Sequence, residues 1–136
     1  MIHLVYVSTA LNEMDDDELL SLLAQARDRN RRQGITGMLL YSNGNFFQVL
    51  EGEENDVGEV YESILKDKRN HGNIVIVKER ISERSFPNWS MGFRKLSEND
   101  LRSIDGYSDF MSLTTQEISG NPSLVMGLLL QFRENA

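Results

Sequence analysis

Ile35-Thr36-Gly37-Met38-Leu39-Leu40-Tyr41-Ser42-Asn43-Gly44-Asn45-Phe46-Phe47-Gln48-Val49-Leu50 is the stretch that decides the fold. Two apolar runs flank Asn43-Gly44, the dipeptide that best supplies the positive φ angles of a two-residue hairpin turn. With Asn43 and Gly44 as the turn, Leu39 falls opposite Gln48 and Tyr41 opposite Phe46. Gly52 closes the second strand.

Helical patterns lie on both sides of this hairpin. Upstream, Asp15-Asp16-Asp17-Glu18 places acids at the positive end of a helix dipole, and Arg27, Arg29, Arg31 and Arg32 crowd its negative end. Leu19, Leu22, Leu23 and Ala26 form the apolar face, and Gly34 suits a left-handed stop. Downstream, residues 54–68 carry Val57, Val60, Tyr61, Ile64 and Leu65 on one stripe. Residues 2–8 alternate as a strand, with Ile2, Leu4 and Tyr6 on one face and His3, Val5 and Val7 on the other. Residues 74–77 read as a buried strand, and Trp89-Ser90-Met91-Gly92-Phe93 alternates as a last one, which puts Trp89 and Met91 on the same side.

The order is β-α-β-β-α-β plus one strand. It predicts an α+β, ferredoxin-like domain with both helices on one sheet face. Val5, Val7, Met38, Leu40, Phe47 and Val49 then point to the opposite face. So large an apolar patch needs a cover. The tail offers one: Asn121-Pro122 suits a helix start, and Leu124, Val125, Leu128, Leu129 and Phe132 make an apolar helix. The expected division is a domain over residues 1–96 and a C-terminal helical extension over 97–136. That extension, or a partner subunit, covers the second face, so a homo-oligomer is expected.

Composition narrows the function. The chain has 136 residues, enough for one domain with a real core. It has no cysteine, which removes disulfides, thiolate metal sites and cysteine nucleophiles. Two histidines, His3 and His71, are too few for a metal cage, so no metal is expected; His71 reads as an exposed loop residue. A net charge of −7 argues against nucleic acid and anionic membranes as partners. No apolar run reaches the ~18 residues of a membrane span, and the N-terminus lacks a basic signal-peptide region, so a cytoplasmic protein is expected. The acids of residues 15–18 read as helix capping, and the Arg27 to Arg32 cluster as a solvated helix end from which Arg29 or Arg31 reaches toward a phosphate. Phosphate-cradling and nucleophile-elbow motifs are missing from the sequence.

Three polar residues interrupt the core pattern. At about 100° per residue, Asn30 falls within ~40° of Leu19, Leu23 and Ala26. Gln48 sits between Phe46 and Leu50 on the helix-covered face, and if the Ile2 and Leu4 face of the first strand is covered too, Tyr6 joins it there. A buried amide without partners costs about 1–3 kcal/mol. Either the three satisfy one another and nearby backbone, or they surround a flat apolar ligand edged with hydrogen-bonding atoms.

These residues fall within stretches that resemble the BLUF domains, flavin-based blue-light receptors. The stretches are Tyr6-Val7-Ser8; Asn30 with Gly34-Ile35-Thr36-Gly37-Met38-Leu39; Gly44-Asn45-Phe46-Phe47-Gln48-Val49-Leu50-Glu51-Gly52; Asp67-Lys68-Arg69; and Arg84-Ser85-Phe86-Pro87-Asn88-Trp89-Ser90-Met91. They run in order over residues 2–96.

The resemblance implies a flavin (FAD, with FMN or riboflavin as variants) held between the two helices. It implies that Gln48 is the switch glutamine, that Tyr6 hydrogen-bonds it, and that Asn30 binds the ring's C4=O and N3 edge. Asp67 and Arg69 match residues near the pyrimidine side and ribityl chain, and Ile35, Phe46 and Ile64 match ring-packing positions. Trp89 and Met91 match the residues of signal output. The family usually has His after the Arg, whereas Asn70 stands here and His71 follows. The implied function is a non-enzymatic photoreceptor. Electron and proton transfer from Tyr6 rearranges Gln48, and the change passes through the last strand and tail to a protein partner or subunit interface. About 40 residues after the core leave no room for a cyclase or phosphodiesterase within this chain. The alternative is a non-photoactive flavin-binding or oligomerisation module. An acyl-phosphate hydrolase on this fold needs an Arg after the first strand, where Thr9-Ala10-Leu11-Asn12 stands instead.

Overall fold

Strand β1 (Ile2–Ala10) is an interior strand of a five-stranded sheet, second from its edge. The computed structural model describes residues 1–12, 14–42, 44–96, 127 and 129. Helix α1 (Asp16–Gln33) follows. Asp15 caps it by accepting from the Glu18 amide at 2.8 Å, and Glu18 accepts in return from the Asp15 amide. This reciprocal box satisfies two donors that a helix start otherwise leaves unpaired. Gly34 ends the helix at φ 66°, a left-handed conformation that costs a residue without Cβ little.

Strands β2 (Thr36–Ser42) and β3 (Asn45–Gly52) form the expected hairpin. Leu39 pairs with Gln48, Tyr41 with Phe46 and Ser42 with Asn45. Gly44 takes φ 79°; Asn43 lies outside the described residues. Helix α2 (Glu54–Lys66) buries Val57, Val60 and Ile64, whereas Leu65, expected on the same stripe, is about half exposed. The helix stops two residues short of the expected end, because Asp67 turns to an extended conformation.

Strand β4 (Asn70–Arg80) is longer than the expected 74–77 and lies at the sheet edge. Lacking a neighbour on one side, it is half-buried rather than buried, and Val75 is exposed on it. His71 is exposed as expected, but on this strand rather than in a loop. Strand β5 (Gly92–Lys95) runs parallel to β2, giving the order β4-β1-β3-β2-β5.

The expected start of the last strand at Trp89 needs correction. Residues 89–91 precede β5, and Trp89 and Met91 lie on opposite sides of the sheet. Met91 joins Tyr6, Leu39 and Ile64 in the core under the helices. Trp89 packs on the far-face core, its ring centroid 6.0 Å from that of Phe86. Side chains from α1 and a backbone bond from Gly37 to the Trp89 carbonyl hold this segment rather than a continuous strand ladder, so strict alternation does not apply to it.

The far face is apolar as expected: Val5, Val7, Met38, Leu40, Phe47 and Val49 are all buried. Phe86, Leu96 and Leu129 cover it. Leu129 is helical and fully buried; the expected helix start at Asn121-Pro122 lies outside the described residues. Among the described residues, no helix is long and apolar enough to cross a membrane.

Candidate functional site

A cleft opens where α1, α2 and the near sheet face meet. The sheet contributes Tyr6, Leu39, Phe46 and Gln48; α1 contributes Leu22, Gln25, Ala26 and Arg29; the end of α2 and the turn after it contribute Ile64, Asp67, Arg69 and Asn70. Tyr6 and Gln48 are directly paired residues of the antiparallel β1 and β3. Side chains at such positions stand side by side on one face. The Tyr6 hydroxyl donates to Gln48 Oε1, and Gln48 Nε2 donates to Met91 Sδ at 3.3 Å. Sulfur is a weak acceptor, so this amide holds one strong bond and one weak one.

Burial pushes the Tyr6 phenol well above the ordinary tyrosine range; Arg29 opposes the shift, while Tyr61 and Asp67 add to it. The Tyr6 and Tyr61 rings lie 5.1 Å apart at 60°. Arg29 sits partly desolvated at the cleft wall, which lowers its pKa against the pull of Tyr6 and Asp67.

The mouth is ionic. Arg69 Nη2 lies 2.5 Å from Asp67 Oδ2 and 2.9 Å from Gln25 Oε1, so one guanidinium spans the gap from the α2–β4 turn to α1. The bond from Arg69 holds the Asp67 carboxyl below the usual carboxylate range, against a smaller desolvation effect. Asn70 donates to the carbonyls of Ile64 and Asp67 and so ties off the end of α2.

Of the residues singled out in the sequence, Tyr6, Gln48, Phe46, Ile64, Asp67 and Arg69 share this cleft. Asn30 and Ile35 are buried but line a neighbouring groove with Arg84 and Ser90. Asn30 Nδ2 donates to the Ser90 carbonyl at 2.8 Å. Met91 reaches the glutamine; Trp89 stands across the sheet. Sequence reasoning missed Gln25. Its only signal was the spacing to Arg29, four residues on along the same helix face.

The family model described as "BLUF: Sensors of blue-light using FAD" matches residues 1–92. The chain belongs to the BLUF family. Among its relatives is the photoactivated adenylate cyclase subunit beta-like protein FB of Euglena gracilis, 34% identical over 89 residues, which are 65% of this chain and 10% of that protein. A bacterial light-regulated adenylyl cyclase superposes with a TM-score of 0.77 at 33% identity, over 96% of this chain and 40% of the other. BlsA in its photo-activated state superposes at 0.73 with 32% identity, over 95% and 94% of the two chains. The chain spans 7–15% of the length of the photoactivated cyclase subunits and subunit-like proteins it matches.

The cleft's chemistry fits the flavin of a BLUF domain. Phe46, Leu39 and Ile64 give apolar walls, and Gln48, Arg29, Asp67 and Arg69 give converging polar groups. A flat ring with a hydrogen-bonding edge needs that combination.

Proposed function

We propose that this chain is a blue-light photoreceptor that holds FAD in the cleft, with Tyr6 and Gln48 as its photoactive pair. The observation that carries the reading is the buried hydrogen bond from Tyr6 to Gln48 Oε1 at the cleft wall. Phe46 and Ile64 pack the ring, while Asp67 and Arg69 take its polar side and the ribityl chain. Asn30 and Ile35 complete the set from the adjoining groove.

A bound flavin supplies, under blue light, a strong one-electron oxidant that recovers its starting oxidation state when the cycle closes. Tyr6 is the phenol placed to release an electron. Its burial keeps the proton on Oη until then, and Gln48 is the acceptor already in contact. When electron and proton return to Tyr6, the amide is left rotated or tautomerised. An amide suits this role because donor and acceptor share one pivot.

The change leaves the cleft through Met91, which touches Gln48 Nε2 and leads directly into β5. Residues 97–136 then act as the output and oligomerisation segment, carrying the change to a second copy or to a protein partner. Light biases that equilibrium only by the free-energy difference it creates between the two states. In this reading the chain senses and does not catalyse; the cyclase activity named for its relatives is theirs. The test is Gln48→Leu in protein loaded with FAD: the flavin stays bound and its light-induced spectral shift is lost. A shift that persists in this variant overturns the assignment.

A further inference from the structure

Glu51 is a carboxylate with no exposed surface, on the far side of the sheet from the cleft. It lies three residues beyond Gln48 on β3. Its Oε2 accepts from the Ser85 amide at 2.6 Å, and its Oε1 from the Phe86 amide and the Thr36 hydroxyl, both at 3.0 Å. Arg84 closes the knot by donating to Thr36 Oγ1 at 2.7 Å, to the Glu51 carbonyl at 3.0 Å and to the Gly34 carbonyl at 2.9 Å. A buried carboxylate is retained only where such donors replace its water.

The knot fixes the beginning of the segment that ends at Met91. From Phe86 the chain runs to Trp89, whose amide donates to the Phe86 carbonyl and whose own carbonyl accepts from Gly37. Two bonds from α1 hold the other end: Asn30 Nδ2 to the Ser90 carbonyl and Arg27 Nε to the Met91 carbonyl, at 2.8 and 2.9 Å. Between these anchors the chain passes from the far face to the near one. Trp89 is thereby left on the far side, and Met91 is delivered to Gln48.

We propose that Glu51 is a positioning residue for the light response: by gripping the amides of residues 85 and 86, it sets Met91 rather than Trp89 against Gln48. The role of that contact in the response rests on the photoreceptor reading; the placement of Trp89 does not. Glu51→Gln replaces one of the two accepting oxygens with an NH2 group, so one of the two amides meets a donor and the segment is freed to shift.

The experiment compares wild type, Glu51→Gln, Arg84→Gln, Met91→Ala and the Glu51→Gln/Met91→Ala double variant. Arg84 is only half-buried, so its variant serves if Glu51→Gln does not fold. Trp89 is the chain's single tryptophan, so acrylamide quenching of its fluorescence reports its setting directly, with or without flavin. We expect a change in the quenching constant of at least twofold in Glu51→Gln, with unaltered far-ultraviolet circular dichroism. In FAD-loaded protein we expect the dark-recovery rate to change at least threefold in Glu51→Gln. The double variant should then recover at the Met91→Ala rate, because the two residues act in series. Unchanged Trp89 quenching in the folded variants, or independent multiplicative effects on recovery, overturns the proposal. A wild type that binds flavin but shows no light response overturns the photoreceptor reading instead, and Trp89 quenching still decides whether Glu51 sets the segment.

Discussion

Tyr6 and Gln48 stand directly opposite each other on neighbouring antiparallel strands, and the Tyr6 hydroxyl donates to the Gln48 side-chain oxygen between two buried side chains. The pairing is written into the hairpin and the β1–β3 register. No loop has to close to bring the two together. Light-driven chemistry that depends on a proton's path benefits from such rigid placement.

Tyr6→Phe removes the hydroxyl and little volume. The fold should survive, at a cost of about 1–3 kcal/mol for the orphaned amide oxygen. Flavin affinity should stay within about threefold, since the ring's walls remain. The light-induced shift should disappear. Chemical denaturation, flavin titration and an illuminated spectrum check the three parts separately.

Alkaline stability follows from the Tyr6 phenol. Its folded pKa lies above the ordinary value of 10.0, chiefly through burial. Below pH 10 both folded and unfolded chains hold the proton, and the contribution is fully present. Above it the unfolded chain ionises first, so stability falls as pH rises. Tyr61 is shifted the same way by burial. Tyr6→Phe should therefore flatten the decline of Tm between pH 10 and 11.5 without abolishing it. An unchanged slope counts against a buried, neutral phenol.

Asp67 titrates in the opposite sense. Its pKa lies below 3.8, mainly because Arg69 bonds it. The stability this pair contributes is present above that value and is lost as pH falls through the depressed one. Asp67→Asn should weaken acid sensitivity below pH 4. It should also lower flavin affinity about tenfold, the scale of one charge-assisted hydrogen bond. Acid titration of Tm and flavin titration at neutral pH measure the two effects.

Met91→Ala deletes a fully buried side chain and should cost about 2–4 kcal/mol. The flavin's light shift should remain, because Tyr6 and Gln48 are intact. Light-dependent change in oligomer size or partner binding should vanish, which size-exclusion chromatography in darkness and under blue light resolves.

Gly37 has no room for a side chain. A Cβ there would lie 2.0 Å from the Val49 carbonyl oxygen across the hairpin. Backbone has to move to accept it, so Gly37→Ala should lose about 3 kcal/mol, at the upper end of overpacking costs. Denaturation midpoints check this against Gly58→Ala, where nothing lies within 4 Å.

The hairpin, both helices and the two apolar sheet faces were readable from residue spacing, because each obeys one period over its whole length. Trp89 was not. Residues 84–91 follow no ladder; they are held by Glu51 on one side and by Asn30 and Arg27 on the other. Such long-range anchors leave no periodic trace, so alternation placed Trp89 and Met91 on the same side. The length of β4 was hidden for another reason: an edge strand tolerates polar residues, so His71 within it read as a loop residue. In the candidate site, the Tyr6–Gln48 pair was legible because polar residues on an apolar face demand explanation. Gln25 was not, because a glutamine on a helix carries no such demand.

On the proposed reading, the Tyr6–Gln48 pair makes this chain light-responsive. The measurement that tests it most directly is the light-minus-dark absorption difference of FAD-loaded protein, taken on wild type and Gln48→Leu. Wild type should show a small red shift of the flavin band that decays in darkness, and Gln48→Leu a flat difference. A bound flavin whose spectrum blue light leaves unchanged in wild type, or a shift retained by Gln48→Leu, would contradict it.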